Sequence, residues 1–184
     1  MINNKNSKNI NNGSVQINGD GDNTIIALSP GVVLTETEVY DLLLIVDDMN
    51  IKPSIEYSLT DPAELNEKLF YNNAPIYIDY FEEYSVHLVP IEEVMDNLPN
   101  SARIVQKLRK LFLKEAKRNE FRKKIVGNGD EQLDAISEKL RLLIKSDTRF
   151  LKKSFSEEGL DQFIMALLAY GVYKCKVLLN PNEG

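Results

Sequence analysis

The sequence LDQFIMALLAYGVYKCKVLL, at residues 160–179, decides the fold. It is apolar on nearly every side of a helix, and such a helix is buried in a domain core or in a membrane. Its polar interruptions leave only about a dozen consecutive uncharged residues, whereas a membrane span needs roughly 20. The stretch therefore predicts a central core helix. Asn180-Pro181 is expected to end it, because proline cannot continue a helix.

Apolar residues at helical spacing predict further helices before this one. A capping box formed by Thr35 and Glu38 starts the first helix, which is expected to run to about Asn50. The other predicted helices are 61–72, 75–89, 90–98, 101–125 and one that Asp130 caps. The I-Y-I alternation at residues 76–78 makes a β-strand within 75–89 the alternative to the helix. The predicted fold is mainly α, with six or seven helices in a docking domain at 34–184.

Composition places the chain among ordinary globular proteins, since 43% of its 184 residues are apolar and 27% are charged. The N-terminus shows no signal-peptide pattern. The single cysteine, Cys175, cannot form an internal disulfide and is expected to pack as a small hydrophobic residue. We therefore expect a cytoplasmic protein.

The net charge of the chain is −6, and the charged residues are distributed unevenly along the sequence. Residues 34–99 carry 15 acids against two lysines, whereas residues 100–125 carry 10 basic residues against two acids. A basic stripe follows the predicted long helix at Arg103, Lys107, Lys110, Lys114, Lys117 and Arg118. This stripe is either a partner-binding face or a face paired with the acidic half. We expect an acidic protein partner rather than nucleic acid, because no exposed aromatics interleave with the stripe.

Residues 1–33 form an arm rich in Asn and Gly, with a β-hairpin signal around an Asn-Gly turn. Its candidate self-association or recruitment residues are Val15, Gln16, Ile17, Asn18, Gly19, Asn23, Ile25 and Ile26. These residues resemble amyloid-type homotypic motifs such as the RHIM, whose stacked strands pair every backbone group. The alternative is a disordered leader whose hairpin docks on its own domain.

Catalytic motifs are weak in this sequence. Asp47 and Asp48 follow an apolar run as in receiver domains, and Asp79 could serve as the phosphoacceptor, but helical spacing argues against the strand that a receiver needs. His87 is the single histidine and is expected to be structural. No phosphate loop, zinc spacing, nucleophile elbow or dinucleotide fingerprint occurs, so neither a catalytic residue nor a cofactor or metal is predicted.

The chain contains the phrases DPAELNEKLFYN at residues 61–72 and LAYGVYKCKVLLNP at residues 168–181. Together they resemble the C-terminal module of bacterial ABC three-component conflict systems, which guard against phage. The matching residues are Pro62, Glu64, Leu65, Lys68, Leu69, Tyr71 and Asn72, then Tyr170, Cys175, Lys176, Val177, Leu178 and Pro181. Leu179 departs from the pattern, where an acid is expected. The resemblance covers residues 61–184 and implies a module that couples an effector to a companion protein and an ABC-type ATPase. The roughly sixty residues before it are too few for a catalytic domain.

Together these features predict a non-enzymatic adaptor of a bacterial defence system. Its arm would oligomerise or recruit an effector, and its helical domain would dock a protein partner, so we expect a homo-oligomer that binds neither membrane nor nucleic acid. One alternative is a stoichiometric inhibitor whose acidic half masks a basic target. The other is a magnesium-dependent receiver-like or acid-based enzyme that uses Asp47, Asp48 and Asp79.

Overall fold

The structure is a computed structural model that describes residues 34–52, 64–153, 155–174 and 177–183. Across these residues it is mainly helical and contains no strand, so the predicted mainly α class is confirmed there, although eight α-helices occur where six or seven were predicted. The eight helices are α1 Glu36–Asp48, α2 Leu65–Tyr71, α3 Pro75–Glu83, α4 Leu88–Asn97, α5 Ser101–Glu115, α6 Gly129–Lys145, α7 Thr148–Lys152 and α8 Glu157–Tyr173. The predicted β-prone arm lies outside the described residues.

Helix α8 is the centre of the fold. It packs against α2, α3, α4, α5 and α6, and twelve of its residues are buried. Phe163, Ile164 and Leu167 are completely enclosed, and burying each such side chain stabilises the fold by about 1.5–3 kcal/mol. The Ser156 hydroxyl accepts a 2.9 Å hydrogen bond from the Gly159 amide and caps the helix. Its all-round apolar surface therefore serves packing on several sides at once.

The end of α8 differs from the prediction. The helix stops at Tyr173 instead of reaching Asn180-Pro181, and the Val177 amide donates back to the Gly171 carbonyl at 3.1 Å. Leu178 then adopts a left-handed backbone with φ 64°. This reversal buries Val177 and Leu178 in the core. An apolar run cannot distinguish a helix from a buried turn, which is why the sequence suggested a longer helix.

The predicted start of α1 is confirmed. Thr35 accepts a hydrogen bond from the Glu38 amide at 3.2 Å, and the Glu38 carboxylate accepts one from the Thr35 amide at 2.9 Å. The capping box is therefore complete. The helix ends at Asp48, close to the predicted end at Asn50, and its last turn carries no basic residue.

The region from α2 to α4 corrects three expectations. Helix α2 begins at Leu65, after Glu64 as its N-cap, rather than at residue 61, and its Phe70 side chain is 68% exposed. The alternative prediction of a β-strand within 75–89 is wrong, because α3 and a 3-10 turn occupy these residues. Helix α4 starts at Leu88, which places Pro90 in the first turn, where no amide donor is needed.

Helix α5 ends at Glu115, ten residues before the predicted Ile125. A loop follows, and Asn128 rather than Asp130 caps α6 by accepting from the Glu131 amide at 3.2 Å. Asp130 instead accepts a 3.3 Å hydrogen bond from the Tyr77 amide in the first turn of α3. The early end of α5 separates the predicted basic stripe into a helical part and a loop part.

Candidate protein-docking surfaces

Lys107 is a structural residue, which corrects its assignment to a partner-binding face. Its side chain is only 2% exposed, and its Nζ donates to the carbonyls of Val46 at 3.2 Å and Met49 at 3.0 Å, and also to that of Asp47. It therefore caps the C-terminus of α1, where the helix dipole favours a cation. Burial lowers the pKa of the Lys107 amine, the nearby Arg103 lowers it further, and Asp47 opposes both effects.

Arg103 is also engaged within the chain. Its Nε lies 3.0 Å from the Asp47 carboxylate, and its Nη2 donates to the Asp47 carbonyl at 3.0 Å. Two further acids of α1 pair with the C-terminal half, Asp48 with Arg149 at 2.8 Å and Asp41 with Lys153. For this end of the stripe, the expectation of pairing with the acidic half is correct.

The predicted acidic catalytic set does not assemble. Asp47 and Asp48 lie at the end of a helix rather than of a strand, and each pairs with an arginine. Asp79 is exposed on α3. The receiver-like arrangement is therefore wrong. Among the described residues, no three His, Cys, Asp or Glu side chains are placed to hold a metal ion.

His87 lies buried at the end of the 3-10 turn before α4. Its ring centroid is 6.2 Å from that of Tyr84, and its Nδ1 has no hydrogen-bond partner among the described residues. Burial lowers the pKa of the imidazole, an effect that Glu158 partly opposes. A neutral, enclosed imidazole agrees with the structural role expected for this residue. Cys175 lies outside the described residues.

The remaining basic residues are distributed over α5 and the loop that follows it. Lys110 and Lys114 lie on α5, half-buried and exposed respectively. Lys117 and Arg118 lie beyond the helix, in a segment that we call the basic loop, residues 117–124, sequence KRNEFRKK. Its five basic residues and Glu120 give it a net charge of +4.

The basic loop is a hydrogen-bonded turn. Arg118 and Lys124 form an antiparallel bridge. The Asn119 side chain accepts from the amides of Phe121 at 3.0 Å and Lys123 at 2.9 Å, as asparagine commonly does in turns. Arg122 adopts a left-handed backbone with φ 61°. These contacts give the loop a defined conformation without requiring a packed core.

Phe121 stands at the tip of this loop with 78% of its surface exposed. The expectation that no exposed aromatic interleaves with the basic residues is therefore wrong. The sequence concealed this residue because the predicted helix 101–125 placed it on a helical face. Asn119, a residue that favours turns over helix interiors, was the signal available in the sequence.

The α2–α3 pair presents a surface of opposite charge, which we call the acidic face. All five of its carboxylates are exposed, and none forms an ion pair with a described residue; they are Glu64, Glu67, Asp79, Glu82 and Glu83. The same helices expose four apolar or aromatic side chains, Phe70, Tyr71, Ile76 and Tyr80. Acidic and apolar groups recur at spacings of three and four residues, which places them on common helix faces.

The two phrases that carry the family resemblance meet in space. Lys68 is buried, and its Nζ donates to the Val172 carbonyl at 2.9 Å, which caps α8. The buried Asn72 side chain donates to the Leu179 carbonyl at 2.8 Å and accepts from the Leu179 amide at 2.9 Å. Only backbone atoms of Leu179 take part, so this contact does not require the acid expected at that position.

Comparison with known proteins yields no identification. No protein family matches the chain, and neither a curated protein nor a solved structure matches it significantly. The resemblance to conflict-system modules therefore stays a prediction. The eight candidate residues of the arm lie outside the described residues; they are Val15, Gln16, Ile17, Asn18, Gly19, Asn23, Ile25 and Ile26. None of the helices in the described part of the chain has the length and apolarity that a membrane crossing requires.

Proposed function

We propose that the protein is a non-enzymatic, cytoplasmic adaptor of a bacterial defence system. Residues 1–33 drive self-association or recruit an effector, and the helical domain docks a protein partner. The observation that carries this proposal is the exposed Phe121, held by hydrogen bonds within a loop of net charge +4. Exposed aromatic anchors surrounded by charge are typical of protein interfaces rather than of solvated surfaces.

The exposed carboxylates of the acidic face support the docking role. Asp41, Asp47 and Asp48 of α1 form ion pairs within the chain, whereas the carboxylates of the acidic face form none with a described residue. Exposed charges at a docking surface steer and select partners more than they stabilise a fold. The contacts of Lys68 and Asn72 support the defence assignment, because they join both phrases of the resemblance into one structural unit.

The second candidate is a stoichiometric inhibitor. The acidic face favours it, since five exposed carboxylates beside aromatic side chains would suit a basic target surface. An inhibitor would bind a single basic protein in equal amounts and abolish the activity of that protein. An adaptor would instead hold two different components in one complex.

Co-purification distinguishes these functions. The tagged full chain and a chain lacking residues 1–23 are each expressed with the products of the neighbouring genes. We expect both forms to retain an ABC-type ATPase through the helical domain, and the shortened form to lose the effector. Recovery of one basic protein that is inactive in the complex would favour the inhibitor. Failure to retain any companion, or turnover of a substrate that requires Asp79, would contradict the adaptor.

A further inference from the structure

We propose that two copies of this chain form a symmetric dimer in which the basic loop of each copy docks on the acidic face of the other. This inference rests on the proposed docking role of the helical domain and names one partner for it, a second copy. It requires no contribution from residues 1–33, and the two surfaces that it joins are both present in one chain.

Charge complementarity is the first reason. The basic loop carries a net charge of +4, and the acidic face presents five exposed carboxylates. Lys68, a basic residue of α2, is buried, and its Nζ donates to the Val172 carbonyl of α8. Opposite potentials of this kind accelerate encounter and fix the orientation of docking.

Apolar complementarity is the second reason. Phe121 projects from the loop, and the acidic face exposes Phe70, Tyr71, Ile76 and Tyr80 among its carboxylates. An aromatic anchor surrounded by a charged rim is the usual arrangement of a binding hot spot. Aromatic pairs across such a contact add offset or edge-to-face attraction to the buried area. The defined conformation of the loop reduces the entropy lost when it docks.

The relative position of the two surfaces is the third reason. The Asn73 side chain, in the turn between α2 and α3, donates to the Gly127 carbonyl at 3.0 Å, and the Gly129 amide donates to the Asn73 carbonyl at 3.1 Å. The base of the loop therefore lies beside the α2–α3 turn. In a two-fold dimer a patch on each copy meets the patch of the other, so adjacent complementary surfaces make both contacts around one axis and close the assembly.

A charge-exchange experiment tests the dimer. The loop variant carries Lys117→Glu and Lys123→Glu, and the face variant carries Glu67→Lys and Asp79→Lys. Sedimentation velocity measures the mass of each variant and of their equimolar mixture at low salt. The series is run in the full chain and in a chain lacking residues 1–23, so that assembly through the arm is measured separately. Circular dichroism confirms that each variant is folded, and Leu151→Ser, at a side chain 71% exposed on α7, is the matched apolar control.

We expect each charge variant alone to dimerise at least about tenfold more weakly, because the substitutions remove most of the charge attraction from both contacts. Their mixture should recover dimer, since one contact of the mixed pair joins an unaltered basic loop to an unaltered acidic face, and the other sets the introduced glutamates against the introduced lysines. Phe121→Ser should weaken the dimer about tenfold or more, with Leu151→Ser unchanged. High salt should weaken the wild-type dimer.

Three results would overturn the dimer. The first is that the wild-type chain lacking residues 1–23 is a monomer at low salt. The second is that the mixture of the loop and face variants stays monomeric. The third is that the loop variant loses the binding of single-stranded DNA while its mass equals that of the wild type. The last result would assign the loop to nucleic acid. If a companion ATPase is retained and the mixture fails, the docking function stands and only the second copy as partner is rejected.

Discussion

Replacing Asn72 with alanine tests how the C-terminal segment is held to the helical domain. The Asn72 side chain is 1% exposed and makes three hydrogen bonds, to the Lys68 carbonyl at 2.8 Å and to the amide and carbonyl of Leu179 at 2.9 and 2.8 Å. Each such bond contributes about 1 kcal/mol net, and backbone groups left buried without partners cost more. Asn72→Ala should therefore reduce the free energy of unfolding by about 2–4 kcal/mol.

Urea unfolding followed by circular dichroism measures this change. With a slope of about 1–3 kcal/mol per molar urea, a loss of about 3 kcal/mol lowers the midpoint by about 1–3 M. Asn97→Ala is the matched control, because that exposed amide makes one hydrogen bond within its own helix, at 2.8 Å to Glu93, and its loss should cost no more than about 0.5 kcal/mol. A loss below about 1 kcal/mol for Asn72→Ala would refute the view that this side chain anchors the segment.

Three further changes test other parts of the fold. Lys107→Met keeps the buried stem but removes the donor to three carbonyls, so unfolding experiments should show a loss of about 3–5 kcal/mol, and a loss below about 1 kcal/mol would contradict the capping role. Because burial lowers the pKa of His87 below its ordinary 6.5, the unfolded chain binds the proton more readily, and stability falls as pH drops below about 6.5; His87→Gln should reduce this fall between pH 7 and pH 5, and an unchanged pH profile would contradict it. Gly129→Ala places a Cβ 2.5 Å from the Asn72 carbonyl oxygen, so thermal melting should occur about 3–10 °C lower, whereas an ordinary helical glycine would gain stability from alanine.

Much of the helical framework followed from local sequence signals. The Thr35–Glu38 capping box and the all-round apolar surface of α8 predicted their elements because each signal lies within the element itself. The end of α8 could not be predicted in this way. It is set by the Val177 amide returning to Gly171 and by Asn72, which lies 107 positions away from Leu179 in the chain.

The candidate surfaces were harder to predict because charge alone does not report its partner. Lys107 has the same spacing along the stripe as Arg103 and Lys110, yet its Nζ binds carbonyls at the C-terminus of α1. Nothing local to Lys107 indicates this, since the need arises from a helix that lacks a basic residue in its own last turn. Phe121, in contrast, was hidden only by the overlong predicted helix; α5 ends at Glu115, and Asn119 shapes the turn that follows.

The solution mass of the full chain, compared with that of a chain lacking residues 1–23, tests most directly the claim that this protein is an assembly adaptor. Light scattering on both proteins, at matched concentration and low salt, gives the masses without reference to any partner. We predict a large assembly for the full chain and a folded helical dimer for the shortened chain. A shortened chain that assembles just as the full chain does would contradict the role of the arm.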